Sequence, residues 1–146
     1  MTVQCDIEKF LLDECPDAVI GTSVDGSVQY WSKGAESTFG FSSAEALGRN
    51  LNELIVPADR IAEEQRLRNE SVAKDMATYE SMRQRKDGSL LYVDITSKAV
   101  RNARGEITLL VSTKKDVTRL RLMRDAKSLE ARFCDGIATQ SIVLCK

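Results

Sequence analysis

The chain of 146 residues contains no histidine, and only 5% of its residues are aromatic. Without histidine it has no imidazole base, no phospho-accepting histidine and no usual protein ligand for haem or zinc. The sequence also shows no nucleophile paired with a base, no metal-binding cluster and no phosphate-binding glycine loop. We therefore expect a chain without enzymatic turnover of its own.

A strong net charge and long apolar runs are missing as well. Lys and Arg number 21 against 22 Asp and Glu, which gives a formal net charge of -1. Such a balance provides no overall field to hold a nucleic acid or an anionic membrane. No apolar run approaches the roughly 18 residues of a membrane span, and the N-terminus lacks a signal-peptide pattern. We expect a cytoplasmic chain with no nucleic-acid partner and no direct membrane contact.

The four cysteines, Cys5, Cys15, Cys134 and Cys145, lie near the two ends of the chain without Cys-x-x-Cys spacing. A zinc site would require both termini to converge. Reduced cytosolic thiols are the simpler interpretation, and a redox switch is an alternative that the spacing does not support.

Residues 30–48 are the most informative stretch of the chain. An Asp25-Gly26 turn and an alternating strand that ends at Trp31 lead into it. Two short helices are predicted next, because polar capping residues and glycines follow at the required spacing. The capping and ending positions are Ser32 and Gly40 for the first helix, and Ser42, Glu45 and Gly48 for the second.

This stretch resembles the consensus of PAS domains, in which a strand ending in Trp-Asn or Trp-Ser leads into an Ala-Glu helix and a Phe-Gly-aromatic turn. Further motifs in the family's order extend the resemblance over residues 7–120, and their conjunction is specific. The resemblance implies an α+β PAS fold: a five-stranded antiparallel sheet with short helices on one face, plus flanking N- and C-terminal helices. The further motifs are Pro16-Asp17-Ala18-Val19-Ile20, Arg85-Lys86-Asp87-Gly88-Ser89 and Asp116-Val117-Thr118.

Periodicity and turn residues divide the chain into four segments. Residues 1–16 form an amphipathic cap helix, with Ile7, Phe10, Leu11 and Cys15 on its apolar stripe. The PAS core follows over residues 17–118, then a C-terminal signalling helix over 119–133 and a tail over 134–146. Within the core we predict strands at 18–23, 27–31, 77–86, 89–101 and 106–116, and a longer helix at 58–74.

The C-terminal helix carries Leu122, Ala126, Leu129 and Phe133 at coiled-coil spacing. We favour a short coiled-coil linker, and an amphipathic helix folded back on the sheet is the alternative. In the tail, Phe133 followed by residues 141–144 has the same spacing as Phe10 followed by residues 18–21. This indicates the start of a second PAS-like repeat, although chance apolar matching explains it nearly as well.

The PAS resemblance also implies a pocket for a small molecule or cofactor on the concave face of the sheet. For Lys114 two placements are open. It either enters the pocket, where it needs a carboxylate or an anionic ligand as counter-charge, or reaches water at the sheet edge beside Asp116, which we favour. The candidate lining residues are Ile61, Gln65, Leu91, Val93, Ile95, Ser97, Leu110, Ser112 and Lys114.

The residues argue against the cofactors best known in the family. After Gly48-Arg49, Leu51 stands where flavin photoreceptors carry the cysteine that forms the adduct, and Lys114 replaces their last-strand glutamine. Gln65 follows Glu63-Glu64 where haem-binding relatives place a ligating histidine. We expect no cysteinyl-flavin adduct and no His-ligated haem, whereas non-covalent flavin stays open.

The resemblance implies a sensory input module of a bacterial signal-transduction protein, such as a two-component system. The signal is expected to run through Asp116 and Thr118 into the C-terminal helix, towards an effector in a longer parent chain. A histidine kinase, a cyclic-dinucleotide enzyme and another PAS domain are the expected effectors. The alternative is a ligand-free PAS module for dimerisation or protein interaction.

The last predicted strand has apolar residues on both faces, so its outer face requires a cover. The N-terminal helix or a second subunit would supply that cover. We predict a homodimer whose contacts include Phe10, Leu109, Val111 and Leu122.

Overall fold

The computed structural model describes the backbone of residues 2–140 and the side chains of residues 7–129. The described chain contains five strands, six α-helices and a 3₁₀ turn at Ala58–Arg60. In chain order the elements are α1 (Thr2–Glu14), β1 (Ala18–Thr22), β2 (Val28–Trp31), α2 (Lys33–Phe39), α3 (Ser43–Ala46), α4 (Leu51–Leu54), α5 (Ile61–Lys74), β3 (Met76–Gln84), β4 (Leu90–Arg101), β5 (Ile107–Asp116) and α6 (Thr118–Gln140).

The strands form one antiparallel sheet in the order β2-β1-β5-β4-β3, so the first and last strands of the chain lie side by side in its centre. Alternate residues of β3, β4 and β5 are buried, which gives the sheet an inner and an outer face. Helix α5 packs against these three strands, and α2 packs against β1. The predicted α+β architecture, with five antiparallel strands and helices, is confirmed.

The short helices begin where polar residues cap them. The Ser32 hydroxyl accepts hydrogen bonds from the backbone N–H groups of Ala35 at 3.1 Å and Val19 at 2.9 Å, so it joins the start of α2 to β1. Ser42 and Glu45 form the predicted capping box of α3. Gly40 ends α2 in the left-handed region at φ 85°.

Two helix ends differ from the sequence prediction. Helix α3 ends at Ala46, two residues before Gly48. The helix predicted over residues 58–74 opens with the 3₁₀ turn, and α5 itself begins at Ile61. Both differences concern first and last turns, where local propensity is weakest.

The chain divides into two compact units, residues 1–116 and residues 117–146. In the second unit α6 begins at Thr118, and Leu122, Ala126 and Leu129 are exposed along it. The side chains of Cys5, Phe133 and Cys134, and the whole tail from residue 141 with Cys145, lie outside the described residues. Within the described part of the chain, no helix is both long enough and apolar enough to cross a bilayer.

Candidate functional site

Seven of the nine predicted pocket residues lie on the inner face of the sheet, and all seven are buried. Their burial follows from strand alternation, which turns every second side chain of β4 and β5 towards the helices. Their role in ligand binding stays a prediction. One row across the sheet is Ala18, Lys114, Ile95 and Tyr79, the next is Ile20, Ser112, Ser97 and Ala77, and Leu91, Val93 and Leu110 complete the set.

Lys114 is 1% exposed, so the favoured expectation that it reaches water beside Asp116 is wrong. The physical reason is its position in a central strand: β5 lies between β1 and β4, and Lys114 stands between Ala18 and Ile95. Its Nζ donates to the Ser112 hydroxyl at 2.6 Å. Desolvation lowers the pKa of Lys114 to about 8; the charge of Glu64 raises it, and neighbouring arginines lower it further.

Three more charged side chains are buried in the same layer, and none of them was predicted from the sequence. Glu64 and Arg68 project inward from α5, and Arg83 projects inward from β3. Arg83 Nη2 lies 2.5 Å from Glu64 Oε2, and Arg68 Nε lies 3.7 Å from Glu64 Oε1. One carboxylate therefore bridges two guanidinium groups in the interior.

Arg83 is fully buried and anchored on its own strand. Its Nη1 donates to the Ser81 hydroxyl at 3.1 Å and to the Met82 carbonyl at 2.8 Å, and its Nη2 donates to the Tyr79 hydroxyl at 3.3 Å. Burial raises the pKa of Tyr79 to about 12, which keeps this hydroxyl protonated near neutral pH. Arg83 Nε has no hydrogen-bond partner.

Arg68 joins this buried layer to the loop between β1 and β2. Its Nη2 donates to Asn52 Oδ1 at 3.0 Å and its Nη1 to the Asp25 carbonyl at 3.4 Å. Gly26, at φ 94°, lies so close that a Cβ there would come within 2.5 Å of the guanidinium. The left-handed backbone conformation therefore favours glycine at this position, and an added Cβ would also displace the Arg68 guanidinium.

The predicted pocket positions Ile61 and Gln65 are wrong, because α5 turns them away from the sheet. Ile61 is 41% exposed, and Gln65 is exposed and bonds to Asn69 instead. The inward stripe of α5 is Glu64, Leu67, Arg68 and Ser71. The available signal was the pair Glu64 and Arg68, two opposite charges four residues apart with Leu67 between them. A search for apolar positions does not detect such a pair.

The comparisons with known proteins agree with this geometry. The family model described as the PAS fold matches residues 9–117, which is most of the chain. The chain belongs to the PAS family. The comparison with curated proteins found no match.

Solved PAS structures resemble this one in fold. The PAS domain of a protein from Colwellia psychrerythraea is 22% identical with a TM-score of 0.73, covering 80% of this chain and 98% of that one. An RNA-binding Light-Oxygen-Voltage receptor is 23% identical with a TM-score of 0.75, covering 90% of this chain and 38% of that one. The PAS domain from a two-component sensor histidine kinase is 13% identical with a TM-score of 0.67, covering 79% and 97%. At these identities the likeness shows the fold alone.

Two of the PAS cofactors considered above, the cysteinyl-flavin adduct and His-ligated haem, do not fit the residues present. Leu51 is buried at the start of α4 and offers no thiol for a flavin adduct. Gln65 lies on the exposed side of α5, so it cannot ligate a haem iron in the interior. What this PAS domain presents instead is a buried layer of charged and hydroxyl groups.

The predicted relay and dimer residues lie outside that layer. Asp116, the last residue of β5, binds Arg85 through an Oδ2 to Nη2 contact of 3.1 Å. Phe10 is 63% and Leu122 is 57% exposed. Leu109 and Val111 line an apolar groove of about 170 Å³ on the outer face of the sheet, together with Leu12, Val19, Gly21 and Tyr30.

Proposed function

We propose that this PAS domain is a sensory input module that binds a small ligand on the inner face of its sheet and relays binding through α6 to an effector. The observation that carries the proposal is the strand β5 itself. It places Ser112 and Lys114 in the buried layer, and the chain then continues through Asp116 and Val117 into α6. A ligand that moves β5 acts directly on the strand that leads into that helix.

The kind of protein in which a similar domain occurs supports a signalling role. One similar structure is the PAS domain from a two-component sensor histidine kinase. A longer parent chain with a histidine kinase, a cyclic-dinucleotide enzyme or another PAS domain would fit such a module. Turnover then belongs to the effector and not to this chain.

Asp116 is the residue through which we propose that β5 transmits its movement. Its partner Arg85 also donates from Nε to the Thr38 carbonyl at 3.1 Å and from Nη1 to the Ser89 hydroxyl at 3.2 Å. The end of β5 is therefore tied both to α2 and to the turn between β3 and β4. A small displacement at a packed junction of this kind is passed on as a discrete shift.

We expect Asp116→Ala to uncouple output from ligand in the parent protein while the domain stays folded. Asp94→Ala is the matched control, because Asp94 is exposed on the outer face of the neighbouring strand. Effector activity with and without stimulus is the measurement. A normal response in Asp116→Ala would remove this junction from the relay.

A ligand-free module for dimerisation or protein interaction is the second candidate. The apolar groove beside Leu109 and Val111 favours it, because such a surface suits a protein partner. Mass spectrometry of the purified protein under native and denaturing conditions, with an ultraviolet-visible spectrum, separates the two. A bound compound or chromophore supports the sensor; persistent absence of any ligand across a metabolite panel favours the interaction module.

A further inference from the structure

The buried layer between α5 and the inner face carries more positive than negative charge. Among the described side chains, the buried charged residues are the cations Arg68, Arg83 and Lys114 and the single carboxylate of Glu64. Burying an unbalanced charge is costly, so a surplus cation in a protein interior requires either a counter-ion or the loss of its proton. When Lys114 is protonated, the layer therefore carries three positive charges against one negative charge and lacks an anion.

The protein's own carboxylates do not supply that anion. Both oxygens of Glu64 are already directed at guanidinium groups, Oε2 at Arg83 and Oε1 at Arg68. Glu63, one residue earlier, is paired with Arg60 at 3.0 Å towards the surface. None of the described carboxylates forms an ion pair with Lys114, whose one hydrogen-bond partner is the Ser112 hydroxyl.

Donor groups are left over on each of the three cations. A protonated lysine has three N–H donors, and Lys114 uses one of them. Arg83 Nε–H is buried without a hydrogen-bond acceptor, and Arg68 Nε–H faces Glu64 Oε1 at 3.7 Å, which is beyond hydrogen-bond distance. Buried donors without partners are rare in folded proteins, and several on neighbouring cations indicate an acceptor that binds from outside.

We propose that the ligand of this PAS domain is a small organic anion, a carboxylate of two to about four carbon atoms, held by Lys114 with Arg68 and Arg83. This inference rests on the proposed sensory function and names the chemical class of its ligand. A carboxylate has two acceptor oxygens, which suit an ammonium and a guanidinium together. Its size is limited because Ala18 and Ile95, the cross-strand neighbours of Lys114, are fully buried.

The test uses the whole 146-residue chain and compounds that differ in charge at constant shape. Acetate, propionate, butyrate and succinate are titrated at constant ionic strength, with 1-propanol as the neutral counterpart of propionate and inorganic phosphate as a different anion. Calorimetry gives the affinity, and thermal unfolding gives an independent reading, because a ligand that binds the folded state raises Tm. We expect saturable binding of at least one carboxylate and none of 1-propanol.

Lys114→Met and Lys115→Met form the matched pair of variants. Both replace a lysine of β5 by an apolar residue of similar length, but Lys114 is buried and Lys115 is exposed on the opposite face. Loss of one charge-assisted hydrogen bond should weaken carboxylate binding in Lys114→Met by about tenfold or more. Lys115→Met should bind as the unaltered protein does, which also controls for general salt effects.

A proton readout separates direct contact from a merely structural role of Lys114. Near pH 8.5 much of the free Lys114 is neutral, because its pKa is about 8. The groups facing it are Glu64 and Arg68 on α5 and Arg83 and Tyr79 on β3; the arginines stay charged, and the pKa of Tyr79 is about 12. Carboxylate binding should therefore take up a proton, seen by calorimetry in buffers of different ionisation enthalpy, and Lys114→Met should lose that uptake.

The outcomes distinguish this inference from the proposed function. Saturable binding of 1-propanol or of another neutral compound without any carboxylate would overturn the anionic ligand and leave the sensor standing. Phosphate binding without carboxylate binding would overturn the carboxylate class. Equal carboxylate affinity in the two lysine variants would overturn the role of Lys114. Absence of any ligand would overturn both the anion and the sensory proposal.

Discussion

Glu64 is the residue on which the buried charges depend. It is 3% exposed, and its two oxygens face Arg83 and Arg68. A buried ion pair is weak evidence of net stabilisation, because desolvation offsets most of the attraction. Removing one partner is different, since the charges left behind have no water to solvate them.

Glu64→Gln should therefore lower the free energy of unfolding by about 3–5 kcal/mol. Glu70→Gln is the control on the same helix, because Glu70 pairs with Lys74 at the surface and its loss should cost no more than about 0.5 kcal/mol. Denaturation in urea measures both. Equal effects of the two substitutions would show that the Glu64 carboxylate does not balance the arginines.

Lys114 gives the folded domain an unusual dependence on pH. Its pKa is about 8 in the folded chain against an ordinary value of 10.5, so between these values the unfolded state binds more protons. Stability then rises as the pH increases through this window. The cost of charging Lys114 is fully present below pH 8 and amounts to about 3 kcal/mol.

Lys114→Met should abolish that rise. The difference in unfolding free energy between Lys114→Met and the unaltered chain should be largest near pH 7 and shrink towards pH 10.5, because other alkaline groups titrate equally in both proteins. Urea denaturation across this range is the measurement. A difference that stays constant with pH would mean that Lys114 titrates normally.

At the scale of elements, the start of α2 lies very close to the backbone that leads into β1. Gly34, in the first turn of α2, lies where an added Cβ would come within 2.2 Å of the Asp17 carbonyl oxygen. Backbone atoms cannot move aside as a flexible side chain can. The helix therefore tolerates a residue of low helix propensity at this position.

Gly34→Ala tests that contact. Helix propensity alone favours alanine by about 1 kcal/mol, but the clash with the backbone should reverse the sign and destabilise the domain by roughly 1–3 kcal/mol. Ser37→Ala is the control, because Ser37 is exposed on the same helix and its replacement should change stability by less than about 0.5 kcal/mol. A gain of stability in Gly34→Ala would refute the close approach.

At the scale of the whole molecule, apolar surface remains on the outer side of the sheet and on α1. Leu109 and Val111 line the outer groove, and α1 contributes Leu12 to it. Four apolar residues of α1 are also exposed, which is typical of a surface that meets another protein chain. They are Ile7, Phe10, Leu11 and Leu12.

We expect the chain to form homodimers through this surface, at tens of micromolar in sedimentation velocity. Phe10→Asp should shift it towards the monomer, because a carboxylate would be buried in an apolar contact. Val24→Asp is the control, since Val24 is exposed in the loop between β1 and β2. A monomer in the unaltered chain would contradict the predicted interface of Phe10, Leu109, Val111 and Leu122.

The amino-acid sequence by itself determined the order of strands and helices along the chain except for α4, and it determined the first two short helices after β2. These features depend on residues a few positions apart: strand alternation, the caps at Ser32 and Ser42, and the turn at Asp87-Gly88. The sequence also indicated which alternating residues of β4 and β5 face the helices, because strand geometry settles the face.

Only the tertiary structure decided what fills the interior. The face that α5 turns inward depends on Arg83, because Arg83 pairs with Glu64 across nineteen positions of sequence. A local pattern of residues does not reveal a contact between positions so far apart in the chain. Periodicity favours apolar residues, so it selected Ile61 over the charged stripe. Strand alternation indicated the face of the sheet on which Lys114 lies, but not that its side chain is buried. The burial follows from the neighbouring strands β1 and β4, which cover β5 on both sides.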